Sequence, residues 1–143
     1  MKTPRLPANS ENKVLYVDDD PDDRMLLSDA FREASPDFET IEVGSGAEAL
    51  KYLQERSSSD LPCLVILDLN MPGMSGKEVL LEMRKSEKLR ELPVVVFTTS
   101  SNPVDKKEFA ALGIDMITKP ASFAELTKMV KKLTNYCGPR SGN

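Results

Sequence analysis

The chain has 143 residues, a formal net charge of −4 and no histidine. This length suits one domain with a substantial core and is too short for two ordinary domains. The mild negative charge argues against direct nucleic-acid binding, which usually needs a basic face. Without histidine the chain has neither a Ser-His or Cys-His catalytic pair nor an imidazole ligand for a metal.

Two further features bear on where the protein works. No apolar run approaches the roughly 20 residues needed to span a bilayer, and residues 1–13 lack the apolar stretch of a signal peptide. We therefore expect a cytoplasmic protein with no membrane association. The two cysteines are too few for a disulfide framework, and Cys63 opens an apolar run. We predict that Cys63 is a buried thiol, as in a reducing compartment.

Apolar runs alternate with helical patterns between two polar ends. Residues 1–12 are predicted to form a disordered arm, 13–135 a single domain, and 136–143 a flexible tail. Runs rich in Val, Ile and Leu are typical of strands that are buried on both faces. The predicted strands are residues 13–18, 40–43, 63–68, 93–98 and 114–118.

The helix starts between these strands are marked by capping residues. Ser45, Ser75 and Ser122 are each followed three residues later by glutamate, which is the capping-box pattern. Asp20-Pro21 and Asn102-Pro103 each place a capping side chain before a proline in the first turn. One apolar stripe at helical spacing predicts a buried face on the last helix. It comprises Phe123, Leu126, Val130 and Leu133.

This order predicts a doubly wound (βα)₅ fold, with a parallel sheet and helices on both of its faces. In such a sheet the carboxyl ends of the strands lie side by side, and ligands bind at that edge. Four of the predicted strands stop there at polar residues. These are Asp18-Asp19-Asp20, Asp68, Thr98-Thr99 and Lys119-Pro120.

The acidic triplet Asp18-Asp19-Asp20 indicates a cation site. A capping role can explain Asp20, but adjacent carboxylates in a crevice repel one another unless a cation neutralises them. Mg²⁺ suits such a site because it binds carboxylates and shares phosphate oxygens. A calcium-binding EF-hand loop is excluded because its sixth position would be Asp23 instead of glycine, and its twelfth would be Asp29 instead of glutamate.

Asp68 ends the most apolar run of the chain, where an unpaired charge is costly. An aspartate can attack phosphorus and form an aspartyl phosphate. Lys119 is the expected partner of Asp68, and together with the cation it would neutralise the charge that slows attack by one anion on another. Pro120 is expected to fix the following turn, with a cis bond as one option. Thr98 taken alone is unremarkable.

These motifs together resemble the receiver domains of two-component response regulators, over about residues 13–135. The segments that carry the resemblance are Val17-Asp18-Asp19-Asp20-Pro21, Leu67-Asp68-Leu69-Asn70-Met71-Pro72-Gly73-Met74-Ser75-Gly76, Phe97-Thr98-Thr99-Ser100 and Lys119-Pro120. The resemblance implies a flavodoxin-like fold with strand order 2-1-3-4-5. The Thr-Thr-Ser segment is similar to that of single-domain regulators paired with phytochrome-type kinases.

The resemblance also implies a role for each site residue. Asp68 would accept a phosphoryl group from a phosphohistidine on a sensor histidine kinase or a histidine phosphotransfer protein. Asp19, Asp68 and the backbone carbonyl of Asn70 would bind Mg²⁺, with Asp18 acting through water or hydrogen bonding. Thr98 would bind a phosphoryl oxygen, and Lys119 would pair with Asp68 and then with the phosphoryl group.

One position departs from the family pattern. Many receivers carry an aromatic switch residue where this chain has Met116, and methionine has no ring to swing towards Thr98. The coupling of threonine to an aromatic ring is therefore not expected here, and Met116 is better explained as a partly exposed packing residue. The resemblance also implies that the residues two positions after Asp68 and Thr98 tune hydrolysis of the acyl phosphate. These residues are Asn70 and Ser100, and neither is a strong base, which favours a long-lived phosphoryl group.

The leading hypothesis is a single-domain phosphoacceptor that is not an enzyme acting on external substrates. It would signal through a downstream protein, and a homodimer through the fourth helix, fifth strand and fifth helix is an option. A phosphorelay intermediate would use the same site. A phosphatase of the haloacid-dehalogenase type would need Asp-x-Asp, whereas the chain has Asp68-Leu69-Asn70. A flavin carrier is disfavoured because the aspartates would repel the flavin phosphate.

Overall fold

The computed structural model describes residues 12–99 and 102–138, in which strands and helices alternate. The strands are β1 (Lys13–Val17), β2 (Glu39–Val43), β3 (Leu64–Asp68), β4 (Val94–Thr98) and β5 (Asp115–Thr118). The helices are α1 (Pro21–Ala34), α2 (Gly46–Glu55), α3 (Gly76–Lys85), α4 (Pro103–Ala111) and α5 (Phe123–Leu133). Two short 3₁₀ helices cover Ser58–Asp60 and Thr134–Cys137.

The strands form one parallel sheet in the order β2-β1-β3-β4-β5. This confirms the predicted doubly wound, flavodoxin-like fold. The order places β1, β3 and β4 in the interior of the sheet, and the side chains of β3 and β4 are buried throughout. Their ends carry the polar residues of the predicted site.

The core has two layers because successive side chains of a strand point to opposite faces of the sheet. Along β1, Leu15 and Val17 pack in the layer that contains residues of α2, α3 and α4. Val14 and Tyr16 pack in the other layer, with residues of α1 and α5. Burial on both faces explains the continuous apolar runs of the central strands.

The prediction that all five strands are buried on both faces is wrong for two of them. β2 and β5 form the edges of the sheet, and their side chains are only partly buried or exposed. An edge strand has one strand neighbour instead of two, so more of its surface meets solvent. Met116 lies on β5 and packs, partly buried, against the layer of the core that contains Leu15 and Val17.

The predicted helix caps are present. The side chains of Ser45, Ser75 and Ser122 accept hydrogen bonds from the backbone N–H three residues later. At Ser75 the capping box is reciprocal, whereas at Ser45 the glutamate side chain accepts from the N–H of Gly44 instead. Asn102 caps α4 before its proline.

The buried stripe predicted for α5 is correct except at its first residue. Leu126, Val130 and Leu133 are buried, but 43% of Phe123 is exposed. Phe123 is the first residue of α5, and the buried residues of this helix begin one turn later at Leu126.

The prediction for the cysteines is wrong. Cys63 and Cys137 form a disulfide, with Cα atoms 5.0 Å apart. The 3₁₀ helix Thr134–Cys137 turns back after α5 and brings Cys137 to the residue that precedes β3. The prediction of a reducing compartment depended on a free Cys63 thiol, and the disulfide removes that support. Ordered structure also continues through Cys137, beyond the boundary predicted at residue 135.

Other expectations concern the ends and turns of the chain. The predicted arm lies outside the described residues except for Asn12, whose carbonyl accepts from the N–H of Glu39. Among the described residues no peptide bond is cis, so the bond before Pro120 is trans. None of the helices in residues 12–99 and 102–138 is long and apolar enough to cross a membrane.

Candidate phosphoryl-transfer site

The fold brings the predicted site residues together at the carboxyl edge of the sheet. Asp18 and Lys119 directly follow β1 and β5, while Asp68 and Thr98 are the last residues of β3 and β4. The N–H of Lys119 donates to the carbonyl of Thr98 over 2.8 Å. Four separate strands therefore deliver two carboxylates, a hydroxyl and an ammonium to one place.

Three carboxylates of this edge could share one cation. Each of Asp18, Asp19 and Asp68 offers an oxygen atom, and these atoms lie within 4.8 Å of one another. Asp18 and Asp68 are buried and Asp19 is exposed, so the cluster opens to solvent on one side. Carboxylate oxygens are the ligands that hard divalent cations prefer, and the donor set fits such an ion.

Asp20, the third residue of the acidic triplet, has a separate role. Its side chain accepts from the N–H of Asp22 and caps α1. Its own N–H donates to Asp18 Oδ1 over 2.9 Å. The capping explanation is therefore correct for Asp20, and the turn that it forms orients the Asp18 carboxylate.

Tyr16 is a site residue that the sequence did not reveal. Its hydroxyl donates to Asp18 Oδ2 over 2.5 Å, and its ring packs edge-on against Phe97 with centroids 6.2 Å apart. Burial raises the Tyr16 pKa above its ordinary value, and the bond to Asp18 raises it further. Tyr16 and Asp18 point to the same side because they are two residues apart, which was the available signal.

Lys119 has closer partners than the one predicted. Its Nζ lies 2.8 Å from Asp18 Oδ2 and 2.9 Å from Asp23 Oδ2, but 3.7 Å from Asp68 Oδ1. Burial lowers the Lys119 pKa, and the hydrogen bonds to Asp18 and Asp23 outweigh that effect, so the pKa lies above its ordinary value. Lys119 is a firmly charged ammonium in contact with the carboxylate cluster.

Burial and neighbouring charges perturb Asp68. The pKa of Asp68 lies at about 6 instead of 3.8, chiefly because burial removes the carboxylate from water. Lys119 lowers this pKa, whereas the charges of Asp18 and Asp19 raise it. Crowded carboxylates of this kind favour either a proton or a cation, which is the electrostatic property expected of a metal-binding phosphoacceptor.

The loop after β3 packs tightly against the backbone of Asp68. A Cβ atom added at Gly76 would lie 2.4 Å from the Asp68 carbonyl oxygen, and the Gly76 N–H donates to the carbonyl of Leu69. Glycine is therefore required at the start of α3 by a close backbone approach. Asn70 lies within this loop and its side chain is exposed.

Arg24 connects the site to the edge of the sheet and was also missed. Its guanidinium donates to the Asp18 carbonyl over 2.6 Å and lies 3.6 Å from Glu42 on β2. Arg24 thus links the loop that carries Asp18 and Asp19 to β2. Thr98 is fully buried at the end of β4, and Ser100 lies outside the described residues.

Comparison with known proteins decides the family. The sequence-family model for the response regulator receiver domain matches residues 14–131. The chain belongs to this family. The response regulator Rcp1 of Synechocystis is 32% identical over 133 residues, which cover 90% of each chain. The regulator ARR16 of Arabidopsis thaliana is 33% identical, over 89% of this chain and 83% of its own.

Solved structures agree with this assignment. The phosphorylated cyanobacterial phytochrome response regulator RcpA matches with a TM-score of 0.76 and 32% identity, over 87% of this chain and 92% of its own. The Mn²⁺-bound form of Rcp1 matches with a TM-score of 0.74 over the same shares.

The receiver domain therefore functions in phosphorylation signalling. Receiver domains bind a divalent metal and are phosphorylated by histidine kinases or phosphotransfer proteins, and they are not classical enzymes. The comparisons give no support to a phosphatase of the haloacid-dehalogenase type.

Proposed function

We propose that Asp68 is the phosphoacceptor of this receiver and that Mg²⁺ is its cation. The observation that carries the proposal is the position of Asp68, which is buried at the end of β3 beside two further carboxylates and within 3.7 Å of Lys119. Within the cluster, Asp68 alone lies near Lys119 and also has its backbone carbonyl packed closely against Gly76. The phosphorylated state of the related RcpA supports the same chemistry.

The transfer is a displacement at phosphorus. A carboxylate oxygen of Asp68 forms the new O–P bond while the N–P bond of a partner's phosphohistidine breaks, and the electron pair of that bond stays on the imidazole nitrogen. Asp18, Asp19, Asp68 and the carbonyl of Asn70 would hold the cation. When bound, Mg²⁺ neutralises charge on the carboxylate and phosphoryl oxygens.

Lys119 and Thr98 are proposed to bind the transferred group. The ammonium would pair with one phosphoryl oxygen, and the Thr98 hydroxyl would donate to another. Both residues sit at strand ends next to Asp68, and the bond from the Lys119 N–H to the Thr98 carbonyl fixes their relative position. Positioned donors of this kind stabilise charge that develops during transfer.

We propose that the phosphorylated domain signals by binding a downstream protein at the surface formed by α4, β5 and α5. The same surface could form a homodimer. A cavity of about 570 Å³ lies between β5 and α5, lined in part by Met116, Met129 and Tyr136. Met116 can repack there as a flexible side chain, although it has no ring. Capture of a partner only in the presence of beryllofluoride, a phosphoryl mimic, would support this surface, and capture that ignores the mimic would not.

The acceptor assignment is tested by incubating the protein with acetyl phosphate and Mg²⁺ and measuring its intact mass. One phosphoryl adduct is expected in the unaltered protein, and none in Asp68→Asn or after the cation is chelated. An unchanged adduct in Asp68→Asn would reject the assignment. Return of the phosphoryl group to a histidine phosphotransfer protein would identify a phosphorelay intermediate instead of a terminal regulator.

A further inference from the structure

Asp23 contacts the site without belonging to the predicted set of site residues. It lies in the first turn of α1, and its side chain is 33% exposed. Asp20 caps this helix and Pro21 is its first residue, so the first turn follows closely after the carboxyl end of β1. One Asp23 oxygen lies 2.9 Å from the Lys119 ammonium, within hydrogen-bond distance.

The ammonium of Lys119 is shared unequally among three carboxylates. It donates to Asp18 and Asp23 over 2.8 and 2.9 Å, while Asp68 Oδ1 lies 3.7 Å away, beyond ordinary hydrogen-bond distance. Asp18 also accepts from Tyr16 and from the N–H of Asp20. Two anchors on the β1 and α1 side therefore hold the lysine away from the phosphoacceptor.

We propose that Asp23 is a positioning residue that holds Lys119 away from Asp68 before phosphorylation, and so leaves the Asp68 carboxylate available to the divalent cation. The proposal rests on the proposed function, because it assumes that Asp68 is a cation ligand and the phosphoacceptor. An ammonium hydrogen-bonded to Asp68 would lie beside the carboxylate oxygens that the cation needs as ligands, and its positive charge would repel the cation. Asp23 lowers that competition by offering the ammonium another acceptor.

Removal of Asp23 has a definite consequence in this geometry. The Lys119 ammonium loses one of its two short contacts, and the next carboxylate within reach is Asp68. A tighter pair between Lys119 and Asp68 competes with Mg²⁺, so cation binding weakens. The effect must pass through Lys119, which separates it from a general loss of negative charge.

The chain supplies a matched control in Asp22. Asp22 and Asp23 are adjacent in the first turn of α1, and replacing either by asparagine removes one negative charge. Asp22 is exposed, and its backbone N–H, not its side chain, makes the capping bond with Asp20. Solvent screens the attraction between an exposed carboxylate and the cation. Asp22→Asn therefore measures how much the loss of one negative charge by itself weakens cation binding.

The experiment is calorimetric titration of the full chain with MgCl₂. Asp23→Asn should raise the dissociation constant about fivefold, which is an ordinary coupling within one ion-pair network. Asp22→Asn should change it by less than about twofold. Asp23→Glu, which restores a carboxylate, should recover most of the affinity. In a Lys119→Met background, Asp23→Asn should have no further effect.

Equal losses in Asp22→Asn and Asp23→Asn would overturn the proposal, as would a full loss from Asp23→Asn in the Lys119→Met background. If Lys119→Met does not fold, the comparison of Asp22→Asn, Asp23→Asn and Asp23→Glu decides the question alone. The acceptor assignment has a separate test in the mass of Asp68→Asn after treatment with acetyl phosphate. Failure of the Asp23 proposal leaves that result untouched.

Discussion

Replacing Asp68 by asparagine should stabilise the metal-free protein at neutral pH. Burial raises the Asp68 pKa from 3.8 in the unfolded chain to about 6 in the folded one. Between these values the folded state binds more protons than the unfolded state. Stability therefore falls as the pH rises through this window, and the full cost is present above about pH 6. Asparagine resembles the protonated acid and avoids that cost.

The size of the effect follows from the difference between the two pKa values. Each pKa unit corresponds to about 1.4 kcal/mol, so the shift to about 6 amounts to about 3 kcal/mol at pH 7.5. Asp68 is 6% exposed, but the cluster opens to solvent beside Asp19, so screening lowers this value and about 3 kcal/mol is its upper limit. At pH 4.5 Asp68 is mostly protonated in the folded protein, and the same calculation gives a loss of about 1 kcal/mol in the free energy of unfolding.

Urea unfolding in EDTA at pH 7.5 and pH 4.5 measures both quantities. Asp68→Asn should unfold at higher urea than the unaltered protein at pH 7.5, and the gap should narrow at pH 4.5. Asp22→Asn is the control, because it removes an exposed charge and should not stabilise the fold. A gap that is absent, or equal at the two pH values, would refute the view that Asp68 is an anion destabilised by burial.

Three further predictions concern stability. Gly76→Ala should lower the free energy of unfolding by about 2 kcal/mol, because its Cβ would meet the backbone of Asp68; an unchanged urea midpoint would contradict this close approach. Tyr16→Phe should cost about 2 kcal/mol because it removes a buried donor to a carboxylate, and a neutral result would argue against the bond. The two cysteines of the disulfide are 74 residues apart in sequence, and reducing the bond should lower the free energy of unfolding in urea by about 4 kcal/mol. The stability of Cys137→Ser should not change when reductant is added.

The sequence was most informative where a polar residue ended an apolar run. Asp68 and Lys119 stand out because a charge at the end of a buried strand needs a purpose, and parallel topology then places them together. The helix starts at Ser75 and Asn102 were equally readable, since capping depends on local backbone geometry. Such signals are confined to a few neighbouring residues, and they predicted the fold class and the strand ends that meet at the candidate site.

The parts that the sequence did not reveal depend on contacts between distant segments. Asp23 lies in a run of aspartates, and only the turn of α1 distinguishes it from its exposed neighbour Asp22. Tyr16 lies within the apolar run of β1, and only the folded structure shows that its hydroxyl reaches Asp18. The pairing of Cys63 with Cys137 required the chain to turn back after α5, which no local pattern in the last residues indicates.

The central claim is that the phosphoryl group is bound to Asp68, and chemical mapping tests it most directly. Borohydride reduces an aspartyl phosphate to homoserine, which marks the acceptor permanently in peptide mass spectra. After treatment with acetyl phosphate and Mg²⁺, homoserine is expected at position 68 and not at Asp18 or Asp19. Homoserine at either of those positions, or at none, would contradict the account.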